Sequence, residues 1–224
     1  MIKIADGKTK DVYKLDDGNF LLFFKDDMTG VNGVFDPGAN AVGLTVDGAG
    51  RAGLLMSVYY FKLLESKGVS THFISVKDNE MTVKPVDLFG RGLEVICRYK
   101  ALGSFIRRYG DYINDGDYLD AVVEISLKDD KRGDPFINED TLLALGILKS
   151  GEYSKIKSLT QKICEVIKVD LAEKGLELCD IKLEFGRSVS GDIILIDEIS
   201  GGNMRVLENG NPVAPTDLSR RCTI

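Results

Sequence analysis

Residues 179 to 186 read CDIKLEFG, and they constrain the fold of this chain more tightly than any other stretch. Asp180, Lys182 and Glu184 alternate with Ile181, Leu183 and Phe185, so a strand here puts three charges on one face and three bulky apolar groups on the other. Alternation of this kind predicts a half-buried strand from Asp180 to Gly186. Its apolar face needs a covering layer. Its charged face carries carboxylate, ammonium and carboxylate in a row. After a turn through Arg187 to Gly191, a second strand is expected from Asp192 to Ile199, apolar until Asp197 and Glu198 near its end.

Divalent cations such as Mg2+ prefer oxygen ligands, and at a nucleotide Mg2+ usually takes only one or two carboxylates, with phosphates and water completing its shell. Glu184 and Asp197 could supply that pair across adjacent strands, and Lys182 between them suits a site that handles phosphate or carboxylate. An ordinary charged, solvated edge accounts for the same pattern equally well.

The segments before this hairpin predict a mixed α+β chain. Strands are expected at Lys10 to Leu15 and Phe20 to Phe24, joined by the turn Asp16-Asp17-Gly18-Asn19. Gly30 to Gly53 holds seven glycines in 24 residues with weak periodicity, which predicts a loop. Leu54, Val58, Phe61 and Leu64 keep helical spacing from Arg51 to Lys67, with Gly68 as the stop. Strands near Thr71 to Val76 and Met81 to Val86 complete a small sheet. The glycines of Asp87-Leu88-Phe89-Gly90-Arg91-Gly92 permit a hinge between a mostly β lobe, 1–88, and an α+β lobe, 89–224. In the second lobe a strand from Leu93 to Arg98, a short helix near Gly103 to Tyr109 and a long helix from Glu152 to Lys174 are expected. The long helix should turn Ile156, Leu159, Ile163 and Val166 inward.

Composition removes several functions. At 224 residues the chain can bury a core without covalent staples. Its 35 acidic against 29 basic residues give a net charge of −6, which opposes generic nucleic-acid binding. The four cysteines form no C-x-x-C pair and there is one histidine, so a structural zinc site is not expected. His72, within an expected strand, reads as structural. No apolar run approaches the ~20 residues of a membrane span, and MIKIADGKTK has no apolar signal region. These features describe a reduced, cytoplasmic protein without membrane partners.

Two further motifs suggest phosphate. GKTKDVY sets Lys8 and Lys10 two apart where the first expected strand begins, although it has neither P-loop nor dinucleotide-fold spacing. In CRYKALGSFIRRYG, Arg98 ends a strand and Ser104 opens a helix, so the two could grip a phosphomonoester together. Arg107 and Arg108, on the next turn, read as solvated.

Taken together, GKTKDVY, FKDDMTGVNG, EVICRYKALGSFIRRYG, LKDDKRGDPFINED, and DIKLEFG with IDEIS and Arg205 resemble the phosphoribosylaminoimidazole-succinocarboxamide synthase (SAICAR synthetase) family. The resemblance runs from residue 7 to 205. It implies a two-lobed fold with antiparallel sheets, related to kinase and ATP-grasp architectures, with ATP in a cleft between the lobes. It implies ligation of carboxyaminoimidazole ribonucleotide to L-aspartate in purine biosynthesis, with ATP cleaved to ADP and phosphate, and it allows a homodimer. Carried over by position, Lys8 and Lys10 resemble phosphate-lid residues and Lys84 and Val86 the adenine-contacting segment. Glu184 and Asp197 resemble Mg2+ ligands. Arg98, Ser104 and Arg205 resemble the grip on the ribonucleotide, with Asp180 and Lys182 in the same pocket. Lys128 and Asp134 match a segment near the reacting groups.

Departures from the family pattern also stand out. The family follows D-E-[IF]-S with P-D, where this chain has Gly201-Gly202, and its K-G-x-x-N-N is replaced by Gly50 to Leu55. The family's last helix is also expected to be absent. A paralogous ligase with another acid or amine is therefore an alternative. An inositol-polyphosphate-kinase-like phosphotransferase fits less well, because Glu184 stands where the kinase D-x-K-x-G signature has glycine.

Overall fold

In a computed structural model, which describes residues 1–36 and 41–223, the chain divides into two compact units. One comprises Met1–Asp87, Gly186–Asn203 and Ala214–Ile224; the other comprises Leu88–Phe185 and Met204–Val213. The sequence reading treats 89–224 as one continuous lobe, whereas two of its segments group with the first unit.

The first unit begins with β1 (Ile2–Asp6), β2 (Lys10–Lys14) and β3 (Phe20–Phe24), followed by β4 (Asp27–Val31), β5 (Val34–Phe35) and β6 (Val42–Thr45). Helix α1 (Ala49–Ser66) then leads to β7 (Phe73–Lys77) and β8 (Glu80–Val83). The larger sheet has the order β1-β2-β3-β8-β7, with the expected hairpin at β2 and β3. Leu54, Val58, Phe61 and Leu64 are buried as their spacing predicts. Helix α1 runs 18 residues and stops where Gly68 adopts φ 73°, a conformation glycine enters without steric cost. At the other end of α1 the Asp26 carboxylate accepts a hydrogen bond from Gly50 N at 2.9 Å, satisfying one of the orphan donors of the first turn.

The expected loop from Gly30 to Gly53 is instead largely ordered structure. Strands β5, β4 and β6 pair in that order, and α1 has begun by Ala49. Residues 37–40 of that stretch lie outside the described residues. Its glycines permit close packing: a Cβ on Gly43 would meet the Gly30 carbonyl carbon at 2.4 Å, and one on Gly50 would meet the Lys25 carbonyl oxygen at 2.6 Å.

The second unit is reached through β9 (Asp87–Leu88). It contains β10 (Leu93–Lys100), α2 (Ser104–Tyr109), β11 (Tyr118–Leu127), α3 (Glu139–Ala144), α4 (Glu152–Glu173) and most of β12 (Glu177–Arg187). After β13 (Ile193–Ile196) of the first unit it resumes with β14 (Met204–Glu208) and β15 (Asn211–Pro212). Strands β11-β10-β12-β14-β15 form one antiparallel run. Helix α4 covers one face of it. That face carries Val95, Cys97, Ile125, Ile181 and Leu183, all buried against an α4 stripe of Ile156, Thr160, Ile163, Cys164, Ile167 and Leu171. The stripe is rotated from expectation, since Leu159 and Val166 are half-buried while Thr160 and Ile167 point inward. Each fully buried aliphatic group contributes about 1.5–3 kcal/mol relative to exposure. Among the described residues no helix is long and apolar enough to cross a membrane.

The chain's last element, α5 (Pro215–Cys222), returns to the first unit and packs on α1. Proline stands at its start, where the lost N–H is not needed. Ser219 Oγ lies 3.4 Å from Met56 Sδ and Tyr60 Oη 3.5 Å from Cys222 Sγ. Gly201 supplies the clearance, because a Cβ there would sit 2.5 Å from Pro215 O and 2.6 Å from Pro215 Cα. Gly201 of this chain thus has a packing reason. Gly201→Ala should destabilise the protein by about 1–3 kcal/mol through overpacking, read as a lower urea midpoint. Gly202→Ala, which would meet only Ser200 Oγ at 3.2 Å, should cost less.

Candidate active site

In the second unit, register turns the alternation of CDIKLEFG into a site. Asp180, Lys182 and Glu184 on β12 stand opposite Arg98, Ile96 and Glu94 on β10, and Asp180 also stands opposite Arg205 on β14. On the other side of β10, Ile96 pairs with Glu124 of β11. The face turned away from α4 is therefore a floor of charged side chains. It is not a solvated edge: Arg98 is 1% exposed and Asp180 4%.

Arg98 is the centre of this floor. Its Nε donates to Glu124 Oε2 at 2.6 Å, Nη1 to Asp180 Oδ2 at 3.4 Å and Nη2 to Ser104 Oγ at 3.0 Å. Arg205 Nη1 donates to both Asp180 oxygens, at 3.1 and 2.9 Å. Glu124 Oε1 accepts from Arg108 Nη2. The result is an alternating row, Arg205, Asp180, Arg98, Glu124, Arg108, in which each carboxylate lies between two guanidinia. Gly103, at φ 56°, leaves room for the Arg205 fork: a Cβ there would lie 2.8 Å from Nη2. Charge-assisted bonds of this kind are the strong ones, and a mostly buried network rich in guanidinium groups is suited to an anion.

Beside this row Lys182 Nζ donates to Glu94 Oε1 at 2.8 Å, and Lys128 pairs with Glu184. Gly92 makes way for the Lys128 stem, which a Cβ there would meet at 3.3 Å. Asp134, with φ 47°, accepts from Asp129 N at 2.8 Å and so closes the loop that Lys128 opens.

The first unit gathers a second set. Lys10 is buried and its Nζ contacts Asp197 Oδ2 at 3.3 Å, Thr9 Oγ1 at 3.4 Å and Glu198. It also sits 5.3 Å from the Phe24 ring centroid. Asp197 lies just past the end of β13 with φ 68°, so it occupies a left-handed turn rather than the strand position that alternation predicts. His72 Nε2 donates to the Asp197 carbonyl at 3.2 Å, and its ring packs edge-on against Phe61. Burial pushes this imidazole down to about 4, so it is neutral at physiological pH and serves as a prop. Asn203 Nδ2 donates to Glu198 O at 2.8 Å and its Oδ1 accepts from Ser200 N at 2.9 Å, fixing the turn. Lys8 is half-buried at the Gly7 turn, where Gly7 N donates to Lys10 O at 2.9 Å. Lys84 N donates to His72 O at 2.7 Å, and Val86 lies against Gly186, whose added Cβ would meet it at 3.1 Å.

The structure thus joins Arg98, Ser104, Asp180 and Arg205 in one network, and Lys10 with Asp197. Lys128 and Lys182 each hold a separate carboxylate of the second unit. Sequence reasoning missed Glu124, Glu94, Glu198 as a partner of Lys10, and Arg108, which is not the solvated residue expected. The usable signal for Arg108 was its spacing of four from Ser104, which puts both on one helix face.

Comparison with known proteins gives consistent matches. A family model described as SAICAR synthetase matches residues 3–217. Over 220 residues the chain is 57% identical to the phosphoribosylaminoimidazole-succinocarboxamide synthase of Clostridium tetani, covering 97% of each. A solved SAICAR synthetase (Type-2) in complex with ADP superposes with a TM-score of 0.83 at 35% identity, over 96% of this chain and 89% of that one. The phosphoribosylaminoimidazole-succinocarboxamide synthase of Ehrlichia chaffeensis gives 0.84 at 30% identity, over 94% and 87%.

Two outcomes test this geometry. Arg98→Ala leaves Glu124 and Asp180 short of a buried counter-charge and should cost about 3–5 kcal/mol of stability in urea unfolding. His72, the only histidine, should remain unprotonated well below its ordinary range in imidazole NMR. The unfolded chain binds that proton near 6.5 and the folded chain only near 4, so the stability His72 contributes should be complete above the upper value and fall as pH drops through this window.

Proposed function

The chain belongs to the SAICAR synthetase family, and from that premise we propose that it joins carboxyaminoimidazole ribonucleotide to L-aspartate, forming SAICAR, ADP and phosphate in purine biosynthesis. The observation that carries this reading is the near-full-length likeness to the Clostridium tetani enzyme. The segments that depart from the family motifs weigh little against it, since Gly50 and Gly201 both have backbone packing roles.

A carboxylate is a poor electrophile because an oxide must leave. In this reading its oxygen attacks the γ-phosphorus of ATP, giving an acyl phosphate and ADP. The aspartate amine then attacks the acyl carbon, loses a proton, and inorganic phosphate departs with the C–O electron pair. Lys8, Lys10 and Lys182 offset charge on the transferring phosphoryl group, a task of positioning and electrostatics. Lys84 and Val86 border the adenine. Arg98, Ser104, Asp180 and Arg205 form the grip on the ribonucleotide, with sealed Arg98 organising it and Arg205 nearer its surface. Lys128 and Asp134 stand near the reacting groups.

Glu184 and Asp197 would hold Mg2+. Both are hard oxygen donors, and each already sits against an ammonium, Lys128 and Lys10 respectively, so each supports a cationic partner. Among the described residues no group of three or more potential metal ligands occurs, and Mg2+ at a nucleotide requires only one or two carboxylates. When bound, the ion supplies charge neutralisation at the phosphates. The same reading places the enzyme in the cytoplasm and admits a homodimer.

The test is ADP release with Mg2+, supplying carboxyaminoimidazole ribonucleotide and L-aspartate separately and together, with the product identified by mass. ADP and ligated product should form only when both are present. Product from a different amine but not from aspartate overturns the substrate assignment, and rapid ADP formation with an inositol phosphate alone overturns the ligase reading.

A further inference from the structure

The row of alternating charges in the second unit has two ends, and the assignments so far use only the Arg205 end. We propose that Arg108 is a second surface-accessible guanidinium of the phosphomonoester grip and that Glu124 is the positioning residue that fixes it. This inference rests on the reading that the site takes a ribonucleotide.

The two ends match. Arg205 and Arg108 keep 24% and 27% of their side chains exposed, whereas the members between them are buried to 10% or less. The two terminal guanidinia are therefore the members of the row that solvent reaches, and each is tied to Arg98 through one shared carboxylate, Asp180 for Arg205 and Glu124 for Arg108. Glu124 divides its carboxylate between the arginines, Oε2 to Arg98 and Oε1 to Arg108, so it compensates neither completely. The guanidinium of Arg108 is also fixed in place, 3.9 Å from the Phe136 ring centroid and 5.0 Å from that of Tyr109.

The neighbouring residue provides the contrast. Arg107 is exposed and makes no ion pair among the described residues, as a solvated arginine would. Arg108 lies four residues after Ser104 and therefore projects from the same face of α2, the face that reaches Arg98. A guanidinium fork suits a phosphate dianion because its donors are planar and its charge is permanent.

The experiment measures KM for the ribonucleotide and for ATP in Arg108→Ala, Arg108→Lys, Glu124→Gln and Arg107→Ala, with the 5′-dephosphorylated riboside as a second acceptor. Ribose 5-phosphate binding is measured by calorimetry alongside. Losing one charged hydrogen-bonding partner should raise KM for the ribonucleotide about tenfold in Arg108→Ala. KM for ATP and reaction with the riboside should be unaffected, and lysine should restore only part of the loss. Glu124→Gln, which keeps the side chain's shape but removes the charge that Arg98 and Arg108 share, should also raise KM for the ribonucleotide while leaving KM for ATP unchanged. Arg107→Ala should leave every constant unchanged. An unchanged ribonucleotide KM in Arg108→Ala, or an equal loss with the riboside, overturns the proposal. If the unsubstituted protein forms no ligated product, the functional reading fails, and ribose 5-phosphate binding decides Arg108 independently: weaker binding in Arg108→Ala supports it and equal binding overturns it.

Discussion

A guanidinium that is 1% exposed has to be neutralised where it stands, and Arg98 imposes that condition on the whole second unit. Its carboxylate partners come from the strands on either side, Asp180 directly opposite on β12 and Glu124 diagonally placed on β11. A slip of one residue in either pairing would send the carboxylate to the α4 face, among Cys97, Ile181 and Leu183. The ion pairs and the apolar layer therefore enforce the same register from opposite sides of one sheet. Buried pairs of this sort add little net stability, but removing one partner is costly, so their effect lies in fixing geometry. Fixed geometry is what an anion site requires, because donors already in place need no reorganisation when the ligand arrives.

The sequence exposes those parts of this design that are local. Period-two alternation located β10 and β12, and period-3.6 spacing located α1 and α4. Strand β11 alternates only briefly, from Val123 to Leu127, and the role of Glu124 within it appears only when two non-consecutive pairings are known. Glycine misled in another way. Gly30, Gly43 and Gly50 read as loop because glycine is permissive, yet each is there to let backbones approach to distances no Cβ would tolerate. Helix α5 is short and polar and buries only Leu218, Ser219 and Cys222, so little apolar surface marks it until α1 is present to receive it.

The split between Arg107 and Arg108 shows the same limit at single-residue scale. The two are chemically identical neighbours, and composition cannot rank them. Rotation of about 100° per residue sends one to solvent and the other toward Glu124 and Phe136. Asp197 is the complementary case, since its left-handed backbone is not the strand position that alternation predicts, a conformation a non-glycine residue seldom adopts.

The choice of cation follows a physical division. The cations of the buried row, Arg98, Arg108 and Arg205, are all arginines, and those on the carboxylates nominated for metal, Lys10 with Asp197 and Lys128 with Glu184, are lysines. An arginine fork satisfies several acceptors in one plane and loses that advantage when displaced, which suits a grip that stays assembled. A lysine ammonium is a compact charge on a flexible stem and can move from a carboxylate to a phosphate oxygen without breaking a planar network.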